Sequence, residues 1–220
     1  MADEERHGGA LLTAWSHGPF VEVVKAQGDA ILMDRATGHR DLSEMAKAGQ
    51  DAEATSVLCE VAEQIHSVSG PDGLIPLDVR FRDLLNSGHH PELEDGKRIA
   101  GELLAEPEDI RPLHGDLHHE NILDFEGRGW LAIDPKGVLG ERGFDYANIF
   151  CNPSPEIALK DGRVEALLSL ISGKARLDKT RLAKWVVAWT ALSALWSMED
   201  RGDPRIAFQI SALARASLRE

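Results

Sequence analysis

The sequence predicts an α+β fold in one continuous globular unit of 220 residues. Two apolar runs of strand length flank the turn-forming residues 26–29, and a second strand-turn-strand pattern surrounds Glu126-Gly127-Arg128-Gly129. Residues 163–218 are helical in pattern. Apolar runs bounded by turn residues favour strands, whereas a three-to-four-residue repeat favours helices. We therefore expect a small β portion, a central hairpin and a mainly helical remainder.

The first part of the chain combines a helical pattern with the first pair of strands. Residues 3–15 have acidic residues in the first predicted turn, where they complement the helix dipole. Residues 20–25 and 30–34 predict the strands of a β-hairpin. The following residues 35–38 end in a glycine suited to a bend, so they predict a linker.

From residue 51 onward the pattern becomes helical. Apolar residues between Ala54 and Ile65 recur at helical spacing, and Asp51 is expected to cap the start of that helix. Further helices are predicted at residues 76–85, 95–106, 163–171, 179–198 and 204–218. The most apolar segment, residues 185–196, is too short to span a bilayer and predicts a buried core helix.

Composition narrows the class of protein. The chain has 24 basic and 37 acidic residues, a formal net charge of −13, which argues against a nucleic-acid partner and favours cationic small molecules. Cys59 and Cys151 stand far apart, which predicts neither a disulfide framework nor a CxxC centre. The first ten residues do not resemble a signal peptide, so we expect a cytoplasmic protein without a membrane partner.

The chemistry-bearing block is Leu113-His114-Gly115-Asp116-Leu117-His118-His119-Glu120-Asn121, followed by Ile133-Asp134-Pro135. Protein kinases use an Asp that accepts the substrate hydroxyl proton, an Asn five residues later and an Asp after the next hairpin. Asp116, Asn121 and Asp134 have that spacing. Since magnesium prefers hard oxygen ligands, we predict Asp116 as the catalytic base and the other two as Mg²⁺ ligands.

This block resembles the aminoglycoside phosphotransferase family, whose catalytic loop reads HGDLHxxN and whose metal Asp lies in an IDP segment. The continuation Gly129-Trp130-Leu131-Ala132-Ile133-Asp134-Pro135-Lys136-Gly137, and then Gly140 to Asn148, is most similar to the branch of streptomycin 6-phosphotransferases, the aminoglycoside/hydroxyurea resistance kinases. Weaker similarity extends over nearly the whole chain. The resemblance implies transfer of phosphate from ATP to an alcohol group of a streptomycin-like antibiotic.

The resemblance also implies a protein-kinase-like fold. Residues 1–36 would be the remnant of the N-terminal nucleotide-binding lobe and its hinge, and residues 37–220 the helical lobe for catalysis and substrate binding. The backbone of the hinge would face the adenine ring; it comprises Leu32, Met33, Asp34, Arg35 and Ala36.

Other polar residues have supporting or substrate-binding assignments. His114 is expected to brace the catalytic loop, and Asp145 to tie that loop down or to cap a helix. Because an aminoglycoside is polycationic, acids on the helical lobe are candidates to bind it; these are Glu141, Glu199, Asp200 and Asp203.

Three explanations stay open for one departure from the family pattern. No phosphate-covering loop and no strand Lys precede the helix predicted from residue 3. The chain is then a shortened reading frame, a degraded paralogue or a homodimer that completes its small lobe.

The alternatives to a phosphotransferase are a non-catalytic binding remnant and a metal-dependent hydrolase, in which His114, Asp116, His118 and His119 hold zinc.

Overall fold

The computed structural model describes residues 11–15, 18–28 and 30–219. Residues 11–14 are helical, and the rest of the helix predicted from residue 3 lies outside the described residues. Trp15 and Phe20 are buried and stack with their ring centroids 4.7 Å apart. The Trp15 indole nitrogen donates to the carbonyl of Ser69 over 3.3 Å. These residues therefore pack against the part of the chain that follows the proposed domain boundary at residue 36, and that boundary stays a prediction.

The strands of the described residues form three small sheets. The strands are β1 (Val23–Gln27), β2 (Ala30–Met33), β3 (Ile75–Pro76), β4 (Ile110–Leu113), β5 (Ile122–Asp124), β6 (Trp130–Ala132) and β7 (Val138–Glu141). Strands β1 and β2 pair antiparallel, with Gln27 opposite Ala30. Strands β5 and β6 form a second antiparallel pair, with Ile122 opposite Ala132. Both predicted hairpins are confirmed.

The third sheet has the order β3-β7-β4, in which β3 is parallel and β4 antiparallel to β7. Its register places Leu113, at the end of β4, opposite Val138, at the start of β7. The loop that starts at His114 therefore lies beside the loop that precedes Val138. That second loop contains Asp134 and Lys136.

Helices follow the first hairpin along the chain and make up most of residues 155–219. The helices are α1 (Leu42–Lys47), α2 (Asp51–Ser67), α3 (Leu77–Arg80), α4 (Arg82–Asn86), α5 (Glu94–Ala105), α6 (Pro155–Ala158), α7 (Arg163–Ala175), α8 (Lys179–Glu199) and α9 (Arg205–Ala216). Helix α8 packs against α5 and α9, and its Trp185 is 1% exposed. The predicted core helix at residues 185–196 is confirmed, as is the α+β class.

Two local predictions were wrong. The single helix expected at residues 76–85 is two short helices that meet at Phe81, because this side chain turns fully into the core against Phe144 and Trp185. Asp51 does not cap α2, since Gln50 occupies the cap position. The Asp51 carboxylate instead pairs with Arg163, with Nε to Oδ2 at 2.7 Å, and so links the first turns of α2 and α7.

The described residues include no helix that is both long and apolar enough to cross a membrane. The longest helix, α8, contains Lys184 and Glu199 among its apolar residues.

Candidate active site

The loop after β4 is anchored from behind by a buried carboxylate. Gly115 has a φ of +82°, a conformation that side-chain-bearing residues rarely adopt, so its backbone can turn sharply. The Asp145 carboxylate accepts the backbone N–H groups of His114, at 2.9 Å, and Gly115, at 2.8 Å. His66 Nε2 lies 2.9 Å from the same carboxylate. Asp145 therefore holds the backbone directly before Asp116.

Ionisation of Asp145 is favoured in spite of its burial. Burial opposes the charge of this carboxylate, but the hydrogen bond from His66 and the nearby imidazoles outweigh that penalty and lower the pKa of Asp145. The ionised group can accept from both loop N–H groups and from His66 at once. The predicted helix-capping alternative for Asp145 has no support in the geometry.

His114 is buried and neutral. Its Nδ1 accepts from the backbone N–H of Asp116 at 3.2 Å, and its Nε2 donates to the carbonyl of Ile133 at 2.8 Å. Burial lowers the pKa of His114 although Asp145 and Asp116 oppose that shift. The imidazole thus bridges the loop of Asp116 and the segment that leads to Asp134.

Asp116 lies between two amide side chains. Asn121 Nδ2 donates to the Asp116 carbonyl at 2.8 Å and lies 3.4 Å from its Oδ2. Asn148 Nδ2 donates to Asp116 Oδ1 at 2.9 Å. The Asp116 side chain is 28% exposed, so the carboxylate is held by neighbours and still reaches the surface.

Asp134 follows β6, next to a residue that pairs with Asn121 at the start of β5. Directly before Asp134, the N–H of Ile133 donates to the Asn121 carbonyl at 2.9 Å. Asp134 adopts a positive φ of 54°, its side chain is 56% exposed, and its Oδ2 pairs with Lys136 Nζ at 2.7 Å. The three residues predicted from spacing are therefore brought to one edge of the hairpin.

Oxygen donors at this edge fit magnesium. Asn121 donates through Nδ2 to Asp116, so the side-chain Oδ1 of Asn121 points away from that contact. No described residue donates a hydrogen bond to this Oδ1. Carboxylate and amide oxygens are the hard ligands that Mg²⁺ prefers. Zinc fits less well, because both ring nitrogens of His114 are engaged and the described residues contain no cluster of three His, Cys, Asp or Glu side chains suited to a metal.

The predicted hinge residues lie on and after β2. Leu32 and Met33 belong to the strand and are 60% and 41% exposed. The N–H of Asp34 donates to the Glu22 carbonyl at 3.0 Å, and its carboxylate pairs with Arg128 at 2.9 Å. Asp34, Arg35 and Ala36 then form an extended connection to Gly38, which donates to the carbonyl of Asp124. The segment therefore joins the two hairpins.

Glu141 does not have the environment of a substrate-binding acid. It is 3% exposed, and its carboxylate accepts from Arg181 Nε at 2.7 Å, Trp185 Nε1 at 2.7 Å and the backbone N–H of Glu108 at 3.0 Å. The interpretation of Glu141 as a substrate contact is corrected, because these donors occupy both carboxylate oxygens. The buried Glu141 carboxylate therefore links β7 to α8 through Arg181 and Trp185.

The other acidic candidates divide into two environments. Glu199 and Asp200 line a cavity of about 470 Å³ between the region of β3 and α3 and the end of α8, together with Asp83 and Trp196. Ile75 also lines this cavity, and its N–H donates to the carbonyl of Gly137, three residues after Asp134. Asp203 lies outside the cavity lining and pairs with Arg205.

Sequence reasoning missed three contributors to this region. Asn148 contacts Asp116, Lys136 pairs with Asp134, and His66 contacts Asp145. Asn148 and Lys136 lie inside the two segments that carry the family resemblance, which could have directed attention to them. His66 comes from α2, far from the motif in sequence, so only folding reveals its contact.

Comparison with known proteins places this geometry in a family. Residues 1–201 match the family model described as aminoglycoside/hydroxyurea antibiotic resistance kinase. A streptomycin 3''-kinase of Klebsiella pneumoniae is 45% identical over 205 residues, which cover 90% of this chain and 77% of the relative. A streptomycin 6-kinase of Streptomyces griseus is 33% identical, with 86% of this chain and 66% of the relative covered. A hydroxyurea phosphotransferase of Kitasatospora aureofaciens is 31% identical, with 91% and 61% covered.

Solved structures agree on the fold. A choline/ethanolamine kinase family protein of Mesorhizobium loti superposes with a TM-score of 0.67 at 16% identity, covering 96% of this chain and 77% of that one. The choline kinase LicA of Streptococcus pneumoniae gives 0.66 at 14% identity, covering 100% and 80%. These likenesses establish the protein-kinase-like fold, and the match over residues 1–201 shows that the chain belongs to the aminoglycoside/hydroxyurea antibiotic resistance kinase family.

Proposed function

We propose that this protein transfers the γ-phosphoryl group of ATP to an alcohol group of a streptomycin-like aminoglycoside, with Mg²⁺ bound. The observation that carries the proposal is the constellation at the hairpin edge. Asp116 lies within hydrogen-bonding reach of Asn121 and Asn148, and Asp134 follows a residue paired with Asn121 across the hairpin. Phosphoryl transfer depends mainly on positioning and charge stabilisation, which such a constellation can supply.

In the proposed reaction, Asp116 receives the proton of the acceptor hydroxyl. The acceptor oxygen forms a bond to the γ-phosphorus while the bond from that phosphorus to the β–γ bridging oxygen breaks, and ADP leaves. The Asp145 anchor limits movement of Asp116, and His114 joins its backbone to that of Ile133. A base held at a fixed position contributes more to the rate than a mobile one.

Asn121 Oδ1 and the carboxylate of Asp134 would hold magnesium. When bound, the ion neutralises negative charge on the phosphate oxygens. Lys136 is the residue that neutralises Asp134 in the structure. The exposed side chains of Leu32 and Met33, with the backbone of Asp34, Arg35 and Ala36, are the proposed contacts for the adenine ring.

The acceptor is proposed to bind near the acidic cavity of Asp83, Glu199 and Asp200. Its three carboxylates suit guanidinium or ammonium groups, and Arg80 of the same lining lies with its guanidinium 5.0 Å from the centroid of the Trp196 ring. The two streptomycin kinase relatives support a streptomycin-like acceptor. Glu141 and Asp203 are left out of this proposal, since each is engaged with an arginine.

The first test is calorimetric titration of the full chain with Mg·ATP, with and without Asp134→Ala. We expect Mg·ATP to bind with a Kd on the order of micromolar. Asp134→Ala should weaken this binding by at least about 100-fold, because it removes one carboxylate ligand of the proposed magnesium ion. Asp203→Ala, at an exposed ion pair, is the control and should bind normally. No binding at millimolar nucleotide would favour the non-catalytic remnant. Stoichiometric zinc in the purified protein would favour the hydrolase.

The second test is streptomycin-dependent release of ADP. Asp116→Asn should reduce kcat by at least about 1,000-fold while nucleotide binding persists, because it removes the base and keeps the shape. Glu199→Gln should raise the KM for streptomycin by about tenfold with kcat nearly unchanged, as expected for lost ground-state binding. Retained turnover in Asp116→Asn would contradict the assignment of the base.

A further inference from the structure

A relay of two asparagines ends on Asp116. Asn152 Nδ2 donates to the carbonyl of Asn148 at 2.9 Å and to its side-chain Oδ1 at 3.0 Å. Asn148 Nδ2 then donates to Asp116 Oδ1 at 2.9 Å. Asn148 is 8% exposed and lies in the short helical turn Ala147–Cys151, three residues after the loop anchor Asp145.

The two ends of the Asn148 amide have different required partners. An ionised carboxylate only accepts hydrogen bonds, so the NH₂ group must face Asp116. The Oδ1 end only accepts, and it faces the NH₂ group of Asn152. One orientation of the Asn148 amide satisfies both contacts, and the flipped orientation satisfies neither of them. The relay thereby defines which group Asn148 presents to Asp116.

The two oxygens of Asp116 are consequently unequal. Oδ1 has a short hydrogen bond from Asn148. Among the described residues, Oδ2 has only longer contacts, to Asn121 Nδ2 at 3.4 Å and to His118 Nε2 at 3.9 Å. A distance of 3.9 Å is beyond a hydrogen bond, and 3.4 Å is at its weak limit. Oδ2 therefore has the greater free capacity to accept a proton.

We propose that Asn148, oriented by Asn152, is a positioning residue that fixes Asp116 through Oδ1 and leaves Oδ2 as the oxygen that receives the proton of the acceptor hydroxyl. This inference rests on the proposed function, in which Asp116 is the base. It assigns a role to two residues outside the HGDLHxxN block. In this arrangement Asp145 positions the backbone before Asp116, and Asn148 positions the Asp116 side chain.

The decisive substitution is Asn148→Asp, which keeps the shape of the side chain and removes its donor. We expect kcat for streptomycin phosphorylation to fall by about 100-fold, the order expected when a reacting group is misplaced, with the KM for ATP changed by less than about threefold. Asn152→Ala should reduce kcat by about tenfold, since Asn148 then loses its orienting partner but not its contact. Asn86→Asp adds the same charge at an exposed position and should change neither parameter.

A second readout separates positioning from a merely structural role. A hydrogen bond donated to a carboxylate changes the shielding of its carbon, so carbon-13 NMR at one fixed pH reports the contact from Asn148 to Asp116 directly. The resonance of the Asp116 carboxyl carbon should shift in Asn148→Ala, which removes the donor, and should stay in place in Asn86→Asp.

The outcomes distinguish this proposal from the proposed function. Normal kcat in both Asn148 variants and an unchanged Asp116 carboxyl-carbon resonance in Asn148→Ala would overturn the positioning role and leave the phosphotransferase intact. If the unsubstituted chain fails to phosphorylate streptomycin, the position of the Asp116 carboxyl-carbon resonance at fixed pH alone decides. A shifted resonance in Asn148→Ala supports the hydrogen bond from Asn148, and an unchanged resonance refutes it.

Discussion

The two hairpins of this protein have the same connectivity and opposite environments. In the hairpin of β5 and β6, Ile122, Leu131 and Ala132 are buried, and residues 19–21 pair alongside β6. In the hairpin of β1 and β2, Val24 is 59% and Leu32 60% exposed. The first hairpin carries the proposed magnesium ligands and the second leads to the proposed adenine contacts. The comparison teaches that the proposed magnesium ligands flank a hairpin built into the core, whereas the proposed adenine contacts follow a hairpin that the described residues support weakly.

The largest expected effect on stability comes from removing Asp145, which anchors the loop before the hairpin of β5 and β6. Asp145→Ala leaves two buried loop N–H groups and His66 without their common acceptor. Removing one partner from a buried charged network typically costs about 3 to 5 kcal/mol. We expect a loss of that size in the free energy of unfolding, measured by urea denaturation at pH 7, with Asp203→Ala unchanged as the control. A loss within experimental error would mean that the catalytic loop is held by other contacts.

Acid should lower the free energy of unfolding through His119, which lies in the turn that leads into β5. His119 is 2% exposed, and burial, reinforced by Arg163, lowers its pKa from 6.5 to about 4. A histidine with a depressed folded-state pKa destabilises the fold as the pH falls from about 6.5 towards about 4, because the unfolded state takes up the proton first. Between pH 7 and pH 5 we expect this group to contribute a loss of about 2 kcal/mol.

The measurement is the difference in unfolding free energy between pH 7 and pH 5. His119→Gln should reduce the acid-induced loss by about 2 kcal/mol relative to the parent, since it removes the titration. His39→Gln, at an exposed position, is the matched control and should leave the loss as it is. Equal acid sensitivity of the parent and both variants would show that His119 is already hydrated in the folded state.

The smallest expected effect concerns the second hairpin. Leu32→Ser on β2 should change the unfolding free energy by less than about 0.5 kcal/mol, as for other exposed positions. Ile122→Ala on β5 is the counterpart and should cost about 2 to 5 kcal/mol, because it opens a cavity in the core. Hydrogen exchange should likewise be faster in β1 and β2 than in β5 and β6. A large cost of Leu32→Ser would reveal a partner on the exposed hairpin face.

Local pattern was sufficient for most of the fold. The hairpins, the long helices α2, α7, α8 and α9, and the buried face of α8 were predicted, since strand alternation, turn residues and helical repeats act over a few neighbouring positions. The break at Phe81 was missed. Nothing in residues 76–85 interrupts the helical pattern, and the interruption comes from the aromatic contacts with Phe144 and Trp185.

The sequence by itself determined the chemistry that we propose for this protein. The spacing of Asp116, Asn121 and Asp134 is a local property of one loop and one hairpin, so it could be recognised without a structure. Only the tertiary structure decided which distant groups serve that chemistry. His66 and Asn148 approach the loop from other elements, and Glu141 is withdrawn into a buried pair with Arg181. The physical reason is that burial and hydrogen-bond partners depend on which elements pack together, whereas motif spacing depends only on the order of residues along the chain.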